Sequence, residues 1–285
     1  MKRWCRVLLG LAWLTAACGE TAPSPGGSPA AATDPIEILR AAAGSGDREA
    51  RASLALALAN GVGVVRDDAE ALRLAKLAAA QGSADAQLLA GLLLREGRGT
   101  TADPVAAFRY TLAAAEQGGV DAQFALAWTF EHGIGVARNP EEAARWYRKA
   151  AEKGDLAAKR WLARAYFEGI GVPRDLTLAA RWRIDAASHG DADAQAEAAL
   201  SFLRGEGVLR DDSAGLRYLE DAAESDNALA AFALGALHET GARGATADPN
   251  AALAWYRRAA ALGSEEARAR LEAIEAGASA SRRDP

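Results

Sequence analysis

Apolar and small residues recur along this chain with a fixed period, and six glycines mark it: Gly61, Gly97, Gly133, Gly169, Gly205 and Gly241 stand 36 residues apart. Eleven, seven and three residues before the glycine stand Ala50, Leu54 and Leu58 in the first unit, Ala122, Leu126 and Phe130 in the third, and Ala158, Leu162 and Tyr166 in the fourth. That spacing sets one apolar stripe along a helix, here helix A. Six residues before the glycine only small residues occur: Ala55, Gly91, Ala127, Ala163, Ala199 and Gly235. The column predicts a place where two helix backbones approach closely, read as a contact between successive A helices. The glycine itself suits the left-handed residue that closes a helix.

Start signals agree with this reading. Asp47, Ser83, Gly119, Asp155, Asp191 and Asn227 lie fourteen residues before each glycine, all of them types that cap helix N-termini. A second cap column, Asp67, Asp103, Asn139, Asp175 and Asp211, opens a helix B, with Pro104 and Pro140 at the first helical position, where no N–H is missed. Asp67 with Glu70 and Asn139 with Glu142 have capping-box spacing. Helix B ends in an alanine pair and a glycine, as in Ala78-Ala79 with Gly82 and Ala150-Ala151 with Gly154. Helix pairs repeated at such a period predict a solenoid, whose units bury their apolar faces only by stacking.

The unit Ala122-x-x-x-Leu126, Gly133-Ile-Gly135-Val136, Asn139-Pro140, Ala143-x-x-Trp146-Tyr147-x-x-Ala150-Ala151-x-x-Gly154 resembles the Sel-one-like repeat (SLR), a relative of the tetratricopeptide repeat. The resemblance implies an all-α, right-handed α-solenoid of six 36-residue helix-turn-helix repeats (47–82, 83–118, 119–154, 155–190, 191–226 and 227–263). Residues 34–45 repeat the end of a helix B and residues 265–276 the start of a helix A, predicting a capping helix at each end, fourteen helices in all, and a tail at 277–285. Three departures stand out: Thr100 follows the second loop glycine where valine is usual, Asp226 replaces the glycine after the fifth helix B, and the sixth loop, Gly241 to Asp248, is one residue longer.

The N-terminus carries an address. Lys2, Arg3 and Arg6 precede an apolar run from Val7 to Ala17 that is too short to span a bilayer, and Leu14-Thr15-Ala16-Ala17-Cys18 resembles a bacterial lipobox. The resemblance implies removal of residues 1–17, lipidation of Cys18 and, from Gly19, sorting to the outer membrane. An ordinary secretory signal cut after Ala17 is the competing reading. Residues 19–33 are rich in Pro, Gly, Ser and Ala and read as a flexible tether reaching roughly 20 Å on average.

Charge narrows the partners. The chain has 38 acidic side chains against 33 basic ones, of which cleavage would remove three, leaving a formal charge near −8. Such a balance argues against a nucleic-acid partner, because phosphate binding needs a basic surface. Cys5 would leave with the signal and Cys18 would be acylated, so no thiol chemistry is expected, and the activity reported for cysteine-rich, disulfide-stapled SLR proteins does not carry over.

Catalytic and metal chemistry find no foothold. His132, His189 and His238 lie far apart without ligand spacing, and His238 reads as a packed substitute for the tyrosine at Tyr166. No G-x-S-x-G elbow occurs, and the Gly-x-Gly pairs lack the strand and the Lys-Ser/Thr of a phosphate loop. No cofactor and no metal is expected. Trp146, Trp182 and Trp255 share one helix B column and read as packing residues.

A second helix A stripe, nine and five residues before the loop glycine, is the candidate partner surface: Leu88 and Leu92, Phe124 and Trp128, then Arg160 and Arg164, with Trp161 beside them. In tetratricopeptide-like solenoids the A helices line the concave face. The expectation is therefore a non-enzymatic, lipid-anchored scaffold in the bacterial envelope, touching the membrane through its anchor alone and binding a protein or peptide segment with apolar side chains beside an acidic group. A cell-wall-acting or β-lactamase-like enzyme and an unprocessed cytosolic adaptor are the alternatives.

Overall fold

The computed structural model describes residues 34–281. The expected signal peptide, the lipidated Cys18, the tether to residue 33 and the final residues 282–285 lie outside the described residues. Among the described residues there are fourteen helices and no strand: α1 (Pro35–Gly44), α2 (Arg48–Asn60), α3 (Asp68–Ala80), α4 (Ala84–Glu96), α5 (Pro104–Glu116), α6 (Val120–His132), α7 (Pro140–Glu152), α8 (Leu156–Glu168), α9 (Leu176–Ser188), α10 (Ala192–Arg204), α11 (Asp212–Glu224), α12 (Ala228–Thr240), α13 (Pro249–Ala261) and α14 (Glu265–Ser281). Even-numbered helices from α2 to α12 are the A helices, odd-numbered ones from α3 to α13 the B helices, and α1 and α14 close the ends. The fold is an all-α solenoid. The last helix runs past the boundary expected at 276, because Gly277-Ala-Ser-Ala-Ser281 offers no proline to stop it.

Local chemistry sets these boundaries. Asp47, Asp155, Asp191 and Asn227 each accept a hydrogen bond from the amide three residues on, at 2.6 to 2.9 Å, satisfying a donor that the helix leaves orphaned. Gly119 caps α6 without a side-chain bond. All six loop glycines adopt the left-handed conformation, with φ between 66° and 79°. The chain then turns back on one recurrent bond, in which the residue capping helix B donates its amide to the carbonyl three residues before the glycine. Asp67 to Leu58 (3.1 Å), Asp103 to Leu94 (2.9 Å) and Asp175 to Tyr166 (2.8 Å) are examples.

That bond explains how the departures are accommodated. In the longer sixth loop Asp248 still donates to the His238 carbonyl at 2.9 Å, and the extra residue is taken up by Arg243 and Gly244 at φ 58° and 80°. The His238 ring lies against the same loop, its Nδ1 3.1 Å from the Thr246 carbonyl oxygen. Asp226 adopts φ 60°, the left-handed conformation for which the other repeats use glycine.

The chain divides after Ala150 into two compact units. In the first, Leu54 and Leu58 of α2, Leu72 of α3 and Leu89 and Leu93 of α4 form one core cluster, while Leu88 and Leu92 join Ala122, Ala125 and Leu126 of α6 in another. In the second, Leu203, Leu219, Leu234, Ala259 and Ala267 cluster, with Tyr218, Phe232 and Trp255 half-buried around them. Trp146 is likewise half-buried against its core, with the Lys149 ammonium 3.6 Å from its ring centroid.

The small-residue column is buried, but its partner differs from the one expected. A Cβ at Gly91 would lie 2.6 Å from Thr111 Oγ1 and 3.2 Å from the Ala107 carbonyl oxygen, both on α5. At Gly235 it would meet the Tyr256 ring of α13 at 2.6 Å. The close approach at these two positions is between helix A and the B helix of its own repeat, not between successive A helices. Helical periodicity gives a face; it does not say which neighbour that face meets.

Successive repeats are joined at the second loop glycine. A Cβ on Gly99, Gly135 or Gly207 would fall 2.2, 1.9 and 1.9 Å from the carbonyl oxygens of Asp68, Pro104 and Leu176, in the first turn of the preceding helix B. Arg98 reinforces the first of these joints, its guanidinium reaching Asp68 at 2.6 Å and the Ala59 carbonyl. Hydrogen bonds from Arg66 and Arg98 hold the Asp68 carboxyl at a pKa of about 2.

Buried tyrosines tie A to B within a repeat. The Tyr147 hydroxyl donates to Glu131 Oε2 and that of Tyr256 to Glu239 Oε2, both at 2.7 Å. At the C-terminal end Arg270 of α14 also binds Glu239, so the closing helix is fastened to the last repeat. Arg270 first and Tyr256 second lower the Glu239 pKa, whereas burial, then Glu239, pushes the tyrosine to about 12.

Candidate functional site

The registers nine and five residues before the loop glycine place Ala52 and Leu56 on α2 and Leu88 and Leu92 on α4. These four side chains line an open groove of about 550 Å³ that runs across α2 and α4 to the first turn of α6. Leu88 and Leu92 are only 7% and 8% exposed, because both join a core cluster with residues of α5 and α6, while Leu56 is half-buried and Ala52 is 8% exposed. The floor is therefore apolar and fixed by the core beneath it. Glu49, Asp85 and Asp121 stand along the same groove.

Those three carboxylates share one register, twelve residues before the loop glycine, and sit in the first turns of α2, α4 and α6. All three residues are exposed. The Glu49 carboxylate accepts from Arg48 Nε at 2.7 Å. An apolar trough with one acidic group per repeat can hold a chain that presents apolar and cationic side chains.

The remaining candidates lie elsewhere. Phe124 and Trp128 on α6 are half-buried and outside the groove. Phe124 meets the Tyr147 ring edge-on at 5.3 Å, and Trp128 stacks on His132 at 4.3 Å with the Arg95 guanidinium 5.1 Å from its ring centroid. In the second unit Arg160 is ion-paired with Asp193 at 2.8 Å and Asp191 at 3.6 Å, Trp161 is buried, and Arg164 is exposed. The Arg160 guanidinium is thus engaged by α10, while Arg164 keeps an exposed position beside it.

The helix A stripe expected from sequence does not include Ala52, Leu56 or the three carboxylates. The signal for the carboxylates was present, since Glu49, Asp85 and Asp121 are 36 residues apart, but a first-turn acid is also what a helix dipole favours. Only the groove gives them a shared face.

Elsewhere in the second unit, Lys159 is 4% exposed and bonded to Asp185 at 2.9 Å, and Arg183 bridges Ser201 at 2.9 Å and Glu197 at 3.4 Å. Burial raises the Glu197 pKa, with Arg183 and then Arg160 acting against it. The described residues contain no group of three or more histidine, cysteine or acidic side chains able to hold a metal. None of their helices is long and apolar enough to cross a membrane.

Comparison with known proteins finds the same six repeats. The Sel1 repeat model matches residues 48–83, 84–119, 120–155, 156–191, 192–227 and 228–264, one residue later than the frame drawn from the caps. A protective antigen of uropathogenic Escherichia coli strains, displaying an SLR fold, is similar with a TM-score of 0.78 and 33% identity over 84% of this chain and 51% of its own. The present chain thus spans about half the length of that protein. A Sel1 repeat protein from Oxalobacter formigenes is similar with a TM-score of 0.71 and 33% identity, over 84% of this chain and 68% of that one. No curated protein matches in sequence. With six consecutive repeats over residues 48–264 and two solved structures of the same fold, this chain belongs to the Sel1 repeat family, whose members are in general non-enzymatic scaffolds for protein interaction.

Proposed function

We propose that this protein is an exported scaffold, anchored to the bacterial envelope by lipid on Cys18, that docks a protein or peptide partner in the groove of its first unit. The observation that carries the docking reading is the groove itself, an open depression across α2, α4 and the first turn of α6 whose apolar floor belongs to the core. Binding sites are concave and mostly apolar, with a few polar groups to set orientation, and this one has that composition. Net negative charge supports a polypeptide partner over a nucleic acid.

Capture tests the docking reading. Leu56 is half-buried on the groove floor, so Leu56→Glu places a charge in the trough with less damage to the core than a change at Leu88 or Leu92. The variant should lose its partner in pull-downs from the envelope, by about 2 kcal/mol or more if the site is a hot spot, while its helical circular dichroism stays unchanged. Undiminished capture would exclude the groove.

The anchoring reading rests on the basic Lys2, Arg3 and Arg6, the short apolar run and Leu14-Thr15-Ala16-Ala17-Cys18. Radioactive palmitate should label the protein and carry it into the detergent phase, and Cys18→Ser should abolish both. Labelling that survives the substitution would refute the anchor. On the same reading, Gly19 supports the outer membrane as the final location.

A further inference from the structure

We propose that a second surface, the cleft between α1, α2 and α3, takes an aromatic side chain of a protein partner, and that Arg40 at its rim holds a carboxylate beside that ring. The cleft shares no lining residue with the groove over α2, α4 and α6, so it stands apart from the docking reading above.

A column of aromatic residues shows what fits this space. At the register of Leu74 the other five repeats carry Tyr110, Trp146, Trp182, Tyr218 and Trp255. Tyr110 packs against a cluster of Ala78 and Ala79, the pair that ends the preceding helix B, with Ala86 of its own helix A. Tyr218 is held in the same way by Ala186 and Ala187 with Ala194 and Ala198, and Trp146 by Ala114 and Ala115 with Ala122. The ring thus fills the angle between two successive B helices and the A helix beneath them. In the first repeat α1 takes the place of the preceding helix B, and a leucine is too short to fill that angle. A cleft of about 460 Å³ remains, walled by Ala43 of α1, Leu54 and Leu58 of α2 and Leu74 itself.

The rim sets the rest of the occupant's chemistry. Leu77, 39% exposed, lines the cleft at the register where the third and sixth repeats carry Lys149 and Arg258, whose charges lie 3.6 and 5.8 Å from the Trp146 and Trp255 ring centroids. In the first repeat an inserted ring would be covered by an apolar side chain instead of a cation. The charged groups of the wall are engaged, with one exception. Arg73 holds Glu70 through two bonds of 2.7 Å, the Asp67 carboxylate caps α3 by accepting from the Glu70 amide at 3.0 Å, and Arg51 Nε donates to the Ala43 carbonyl at 3.0 Å. Arg40 is exposed and has no partner among the described residues. An aromatic ring is the side chain that most often anchors an interface when it fills a pocket, and a guanidinium at the pocket's rim selects a carboxylate as its neighbour.

A fluorescein-labelled Ala-Asp-Trp-Ala peptide, titrated with the full chain and followed by anisotropy, tests this. Affinity should fall about tenfold or more when the peptide's tryptophan becomes alanine, the loss expected of a buried anchor. It should fall about twofold to fivefold in Arg40→Gln, which removes one exposed ion pair. Leu74→Trp should close the cleft with the residue that the third, fourth and sixth repeats use, lowering affinity about tenfold or more while the melting temperature holds or rises. Leu56→Glu, on the separate groove, should leave the peptide bound as before. Unfolding of the first repeat by Leu74→Trp would show that the cleft has no room for a ring, and unchanged binding in that variant would place the peptide elsewhere; either result overturns the proposal. Equal binding of an Ala-Asp-Leu-Ala peptide would overturn the aromatic assignment, equal binding by Arg40→Gln the carboxylate, and loss of binding in Leu56→Glu the choice of cleft. Two copies by light scattering in the native chain and one in Leu74→Trp would assign the cleft to a second copy instead. Failure of the tryptophan peptide to bind at all would overturn the proposal.

Discussion

Gly135→Ala should destabilise the third repeat by about 2–5 kcal/mol, combining the cost of a left-handed alanine with that of overpacking. Gly135 has φ 70°, and its added Cβ would stand 1.9 Å from the Pro104 carbonyl oxygen and 2.3 Å from the Pro104 carbonyl carbon, so backbone would have to move. The displaced turn starts α5, in the preceding repeat. Gly154 separates the two contributions: it also has positive φ, at 96°, but nothing lies within 4 Å of its added Cβ. Gly154→Ala should therefore cost only the conformational share, about 1–2 kcal/mol. Because each repeat contacts only its neighbours, amides at the start of α5 and in the loop of residues 133–139 should exchange faster first in Gly135→Ala. Equal costs for the two variants would show that the glycine is needed for its conformation alone and that the joint between repeats tolerates a methyl group.

Tyr256→Ala should cost about 3–5 kcal/mol, the range for removing a buried aromatic ring. The residue is 1% exposed, its ring fills the space over Gly235, and its hydroxyl binds Glu239. Loss should start at α12, α13 and α14 and leave the first unit protected. Tyr256→Phe keeps the ring and removes only the hydroxyl; it should cost about 1 kcal/mol, because Glu239 retains Arg270. The Glu239 pKa is lowered in the fold, so the stability it contributes is present above the ordinary glutamate range and is lost as the pH falls through the lowered value. Glu239→Gln should remove that part of the acid sensitivity. Hydrogen exchange that rises uniformly along the chain in Tyr256→Ala would contradict local unfolding.

Sequence alone determined what local bonding controls. The caps at Asp47, Asp155 and Asn227, the left-handed glycines and the apolar stripe of helix A specify twelve helices of 13 residues in six pairs, since each feature acts within one helical turn or one loop. Even the lengthened sixth loop obeys the local rule, the Asp248 amide reaching the same carbonyl register as in shorter loops. What tertiary structure decided was the neighbour of each face. The small column turned to its own helix B, Arg160 found Asp193 33 residues away, and Leu88 and Leu92 became core and groove floor together. Periodicity fixes a side chain's angle around its helix axis. Which of several flanking helices fills that angle, and which stretch of the face stays open to a partner, depends on how the repeats stack, and stacking is settled by contacts between residues about 30 or more apart, such as Arg98 with Asp68.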